Sequence, residues 1–209
     1  MSDTVQTLVF VIPILLVSIS IHEMMHALAG LWLGDDTAKH DGRISLNPLR
    51  HVDPMLTLAL PILLALLHLP IFGAAKPVMI NMHRVKYEEF GGAIIAAVGP
   101  LTNLLLAAIA ALIYRSTPAL QSSDMWSQFF GIAIVLNVGF FVFNSIPFPP
   151  LDGSRVLYAF APAPLQRLMD SIEQFGLAGF FLFMLLFYQI LSPFINDATT
   201  SLTRGLLGA

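Results

Sequence analysis

The sequence predicts an all-α integral membrane protein with about four transmembrane helices, a re-entrant hairpin and short extended loop segments. Composition, the lengths of the apolar runs and the placement of the basic residues predict it. Of 209 residues, 56% are hydrophobic and only 11% are charged, whereas a soluble domain carries roughly 25% charged residues. The length suits one domain over 1–209, with a core at about 8–160, a last transmembrane helix at 174–191 and a tail at 192–209.

Crossing the hydrocarbon core takes about 20 largely apolar residues in a helix. The run 8–33 is long enough, and the start of the chain at Met1-Ser2-Asp3-Thr4 lacks the basic region of a secretory signal. It therefore reads as a retained membrane helix. The runs 91–114 and 126–151 are long and free of charge, and 174–191 is slightly short. The run 55–72 is interrupted by Pro61, His68 and Pro70. If it dips in and returns on one side, Lys39, Arg43, Arg50, Lys76, Arg84, Lys86, Arg155 and Arg167 share a face, eight of the ten basic residues. Only Arg115 and Arg204 then lie opposite. The positive-inside rule favours that arrangement, with an external N-terminus and a cytoplasmic basic face. Gly92 and Ala96 have the spacing of close helix packing.

The net charge of −3 with no basic block gives nucleic-acid binding no support, and the absence of Cys excludes disulfides, thiol catalysis and cysteine metal sites. Any metal must be held by His, Asp or Glu. His22-Glu23-Met24-Met25-His26 sets two imidazoles four residues apart, hence on one face of a helix. That spacing lets one helix supply two zinc ligands, with the neighbouring Glu23 able to reach a water on the metal as a general base. Charged groups at membrane depth cost about 2.5–3.5 kcal/mol each on insertion scales, so such residues mark function or a wet interior.

A catalytic zinc site takes three protein ligands and leaves one position open. His40, His51, His68, His83, Asp53 and Asp152 are the candidates for the third. Asp152 is the strongest, because it ends an uncharged span where Pro147, Pro149 and Pro150 break the helix. An interfacial helix cap is the alternative reading of the same carboxylate.

His22–His26 together with Asn144 through Leu151-Asp152-Gly153 resemble the two signatures of the site-2 protease family of intramembrane zinc metalloproteases. The stretches Gly42–Pro48, His51–Pro54, Gly73–Val78 and Gly99–Asn103 are similar to bacterial members, so the resemblance spans about 20–160. It implies one zinc ion held by His22, His26 and Asp152, with Glu23 as catalytic acid and base and Asn144 near the substrate. It further implies hydrolysis of transmembrane protein substrates in a cell membrane; the basic loops put the site toward the cytoplasmic side, and the length leaves no room for PDZ or CBS-type domains. Lys76–Met82 reads as an extended stretch able to pair with an unwound substrate, or as a plain connection. His40 and His83 read as loop residues and His51 as ordering the turn before Asp53. A silent zinc-binding scaffold and a zinc transporter are the competing functions. The intact Glu23 argues against the first, and the gathering of ligands near one side argues against the second. The tail 192–209 reads as a weakly amphipathic surface segment, and nothing in the sequence bears on oligomeric state.

Overall fold

The structure, a computed structural model, describes residues 3–59, 62, 63, 66 and 76–208. These residues are mostly helical, and none of them lies in a β-strand. The longer helices are α1 (Asp3–Trp32), α2 (Glu88–Ser116), α3 (Asp124–Asn144), α4 (Asp152–Phe160), α5 (Ala163–Glu173) and α6 (Gly176–Leu207). Among the described residues, α1, α2 and α3 are long and apolar enough to cross a membrane. Most of the expected hairpin at 55–72 lies outside the described residues. Its entry, Pro54–Ala59, is a π-helical turn.

Two expected boundaries move. The apolar run to Leu151 suggested a longer span, but α3 ends at Asn144 and a turn occupies 145–151. Prolines 147, 149 and 150 lack the N–H a helix needs and restrict the residue before each, so hydrophobicity outruns helix there. At the other end of the chain, α6 does not stop at 191 but continues through Pro193 to Leu207. The segment read as a separate tail is the last part of that helix.

Helix directions follow from contacts at the two ends of the bundle. At one end Phe10 of α1 meets Phe129 of α3, and Tyr114 of α2 meets Phe130 of α3, with ring centroids 6.0 and 5.8 Å apart. The Arg115 guanidinium, at the same end, donates to the Leu206 carbonyl at 3.0 Å. At the opposite end the Lys86 N–H donates to the Leu33 carbonyl at 2.8 Å, joining the close of α1 to the approach of α2. Thus α1 and α3 run one way, and α2 and α6 the other. Ala107 and Ala111 of α2 pack on Ile134 and Val138 of α3, all buried. Small side chains let the two backbones approach. Gly92 is used differently from expectation: a Cβ there would sit 2.7 Å from Met82 Cε, so it admits the preceding loop and not another helix.

That loop is tied to α1 by Asp35, which is fully buried. Its Oδ1 accepts from the Thr37 N–H at 3.1 Å and the Thr37 hydroxyl at 2.5 Å, and its Oδ2 accepts from the Asn81 N–H at 2.7 Å. Burial raises the Asp35 pKa, but the bonds from Thr37 and Asn81 and the nearby Arg84 outweigh it and hold the carboxyl below its ordinary 3.8. Buried Arg43 completes the fastening, donating to the carbonyls of Arg50, Lys76 and Pro77.

Asp35→Ala removes three bonds to a charged acceptor and strands the Asn81 N–H. It should cost about 3 kcal/mol, measured by thermal unfolding in detergent. The Asp35 contribution is complete above the unfolded carboxyl pKa of 3.8 and is lost as the pH falls through the lower folded value. An unchanged melting temperature in the variant would contradict this role.

Candidate metal centre

His22 and His26 lie in the second half of α1, one turn apart and both buried. The rings stand edge to face, with centroids 4.6 Å apart. Asp152 is the first residue of α4, and its carboxylate reaches the same place from the far side of the 145–151 turn. Its Oδ2 lies 3.2 Å from His22 Nε2, and its Oδ1 lies 3.5 Å from His26 Nε2. The two Nε2 atoms are 3.0 Å apart. Donors at about 2.0 Å from a tetrahedral zinc ion are separated by about 3.3 Å, so the three fit such an ion.

One face of α2 makes this convergence possible. Ile95, Gly99 and Asn103 follow at intervals of four, antiparallel to the histidines on α1. The Ile95 carbonyl receives the N–H of His26 Nδ1 at 2.7 Å, and Asn103 Oδ1 pairs with His22 Nδ1 at 2.6 Å. Between them, a Cβ on Gly99 would overlap His26 Nε2 and Cε1 and lie 2.7 Å from His22 Cε1. Gly153 does the same for α4, since a Cβ there would run into the carbonyls of Ser145 and Ile146. Glycine is needed at both places so that backbone can approach closely.

The donor set has a chemical consequence. A backbone carbonyl can only accept, so in a neutral His26 the proton is on Nδ1 and Nε2 presents a lone pair. Asn103 Oδ1 imposes the same on His22. Two nitrogen lone pairs and a carboxylate then converge, and Asp152 Oδ2 is enclosed without a hydrogen bond. With both imidazoles neutral, a cation bound among the three donors would supply the positive charge the carboxylate needs. His, His and Asp around a site without sulfur suit Zn²⁺, and His22, His26 and Asp152 are the described residues whose ligand atoms cluster, all within 4.8 Å.

The other residues singled out from the sequence fall elsewhere. Glu23 follows His22 on α1, half-buried, and makes no hydrogen bond or ion pair among the described residues. Asn144 closes α3 and donates through Nδ2 to the Phe140 carbonyl at 3.1 Å. His40 is exposed beside Asp36, 3.2 Å away, and His83 is exposed. Fully buried His51 pairs through Nε2 with the Ser45 carbonyl at 2.8 Å, and its own carbonyl accepts from the Lys76 N–H. It therefore orders the loop. Asp53 accepts from the Met55 N–H at 2.9 Å at the start of the π-helical turn. His68 lies outside the described residues. The sequence reading assigned no part to Asn137 and Ser18, which continue the polar contacts behind Asn103. An asparagine inside an uncharged span was the available signal, because an amide among lipid tails needs a partner.

Among known proteins, the chain is 34% identical over 206 residues to "Putative zinc metalloprotease YwhC" of Bacillus subtilis, covering 93% of this chain and 90% of that protein. It is 30% identical over 204 residues to "Putative zinc metalloprotease Rip2" of Mycolicibacterium smegmatis, covering 93% and 74%. The protein of the same name from Mycobacterium tuberculosis is 31% identical over 203 residues, with 93% and 73% covered. No family model and no solved structure matches the chain.

Gly99→Ala should push both imidazoles off their positions and lower zinc affinity at least about tenfold, read by competition with a chelating dye. Asp152→Ala should lower it further. Retention of wild-type affinity by both variants would contradict the assignment.

Proposed function

The chain belongs to the site-2 protease family of zinc metalloproteases, and from that premise we propose that it hydrolyses peptide bonds of transmembrane proteins within the membrane. One observation carries the reading: a His, His, Asp donor set assembled among apolar helices, with a carboxylate beside it on α1. In this reading His22, His26 and Asp152 hold one zinc ion.

A bound zinc ion lowers the pKa of water toward ~7 and polarises a carbonyl oxygen. The remaining steps belong to the chain. Glu23 takes a proton from the attacking water as its oxygen adds to the scissile carbonyl carbon. It then delivers that proton to the departing amine nitrogen as the C–N bond breaks. Asn144, last in α3 before the turn to Asp152, orients the substrate backbone beside the site.

Helical substrates hide their carbonyls in internal hydrogen bonds, so the scissile segment must be unwound. The stretch Lys76–Ile80 offers such a segment something to pair with. Its ends are fastened by His51, Arg43 and Asp35, yet Val78, Met79 and Ile80 make no backbone hydrogen bonds among the described residues. An extended backbone with free N–H and C=O groups accepts a strand by addition. The basic residues gathered at the loops near the centre support a cytoplasmic side for it. With α6 as a fourth crossing, the chain is a multi-pass protein of the cell membrane.

In nanodiscs with a model transmembrane substrate, Glu23→Gln should bind zinc like wild type and lose cleavage by about a hundredfold or more. Wild-type cleavage by this variant would sink the protease mechanism and favour a scaffold or transporter. Met79→Pro, which removes one free N–H, should raise KM while leaving zinc content unchanged. An unaltered KM would remove Lys76–Ile80 from the substrate path.

A further inference from the structure

A line of buried polar side chains runs from the metal centre across three helices. Asn103 of α2, with no exposure, donates through Nδ2 to Asn137 Oδ1 of α3 at 3.0 Å. Asn137, 4% exposed, donates through its own Nδ2 to Ser18 Oγ of α1 and to the Ala133 carbonyl, both at 2.9 Å. Ser18 is 2% exposed.

The direction of this line is determined at its far end. Either end of a carboxamide can face a neighbour, and the hydrogen-bond network decides which does. A serine hydroxyl can give or receive, so Ser18 decides nothing. The Ala133 carbonyl can only receive. It therefore draws the NH₂ of Asn137, which leaves Asn137 Oδ1 to face Asn103. That oxygen draws the NH₂ of Asn103, which leaves Asn103 Oδ1 for His22 Nδ1. The proton of His22 is thereby held on Nδ1, and its Nε2 lone pair points at Asp152 and His26. His26 is oriented by a backbone carbonyl directly, whereas His22 is oriented by one two amides away.

We propose that Asn137 is a positioning residue of the metal centre, setting through Asn103 which nitrogen of His22 is free to bind metal. Its side-chain hydrogen bonds go to none of the three ligands, and it lies on a helix that supplies none. The inference rests on the zinc site proposed above and assigns its outer support. Ligand histidines depend on such partners, whose removal typically weakens metal binding 10–100-fold. Asn137→Leu keeps the branched shape and heavy-atom count while removing the polar atoms, so a packing role alone would leave zinc affinity nearly unchanged.

The test is a double-substitution cycle on zinc affinity in the purified full chain, joined to proton NMR of the His Nδ1–H groups in the zinc-loaded protein. Asn137→Leu should weaken zinc about tenfold or more and move the His22 Nδ1–H resonance while leaving that of His26 in place. Asn103→Leu should do at least as much. Asn103→Leu with Asn137→Leu should be no weaker than Asn103→Leu alone, because the second residue acts through the first. Ser18→Ala, which leaves the Ala133 carbonyl in place, should stay within about twofold of wild type. Additive losses, or an unmoved His22 resonance in Asn137→Leu, would overturn the proposal. So would a wild-type protein with no exchange-protected His22 Nδ1–H, a result that decides the matter even if Asn137→Leu fails to fold. Failure of wild type to bind zinc at all would instead refute the site itself.

Discussion

Two imidazoles and a carboxylate must meet among apolar helices, and the fold is organised around meeting that requirement. An unpaired polar group in such surroundings costs several kcal/mol, and an unpaired charge costs more. Each ligand atom therefore needs a partner, and each partner needs a backbone able to come close. Gly99 lets α2 lie against the two rings, and Gly153 lets α4 start under the carbonyls of the turn that follows α3. With those approaches made, Ile95 and Asn103 fall opposite the two Nδ1 atoms, and Asp152 faces the two Nε2 atoms. At the centre, the described residues leave Asp152 Oδ2 without a hydrogen bond, a place for a positive charge.

The same economy of partners extends to the loops. Asp35, Arg43 and His51 are buried polar residues that bind backbone and not one another. Together they fasten Lys76–Asn81 at both ends, while Val78, Met79 and Ile80 make no backbone hydrogen bonds among the described residues. In the proposed function, a segment fastened at both ends would receive an unwound substrate strand at little entropic cost.

Much of this was legible in the sequence, and the limits have physical causes. His22 and His26 could be placed together because a helix converts a spacing of four into a shared face. Asp152 stood out as a carboxylate closing an uncharged span beside three prolines. The end of that span was misplaced, since apolar composition continues to Leu151 while the prolines stop α3 at Asn144. Gly99 and Asn103 belonged to a family-like stretch, but their contacts with α1 were not readable from it. Asn137 meets Asn103 across 34 residues of chain and Ser18 across 119. No local period encodes such a pairing. Asp35 was passed over because an acidic residue after a helix ordinarily faces solvent.

The proposed function depends on two histidines and one aspartate binding one zinc ion, and X-ray absorption at the zinc edge tests that most directly. The account predicts a spectrum with two imidazoles and oxygen ligands per zinc in wild type. In His26→Ala the imidazole count should fall to one. A third imidazole, or a zinc ion surrounded by oxygen alone, would contradict it.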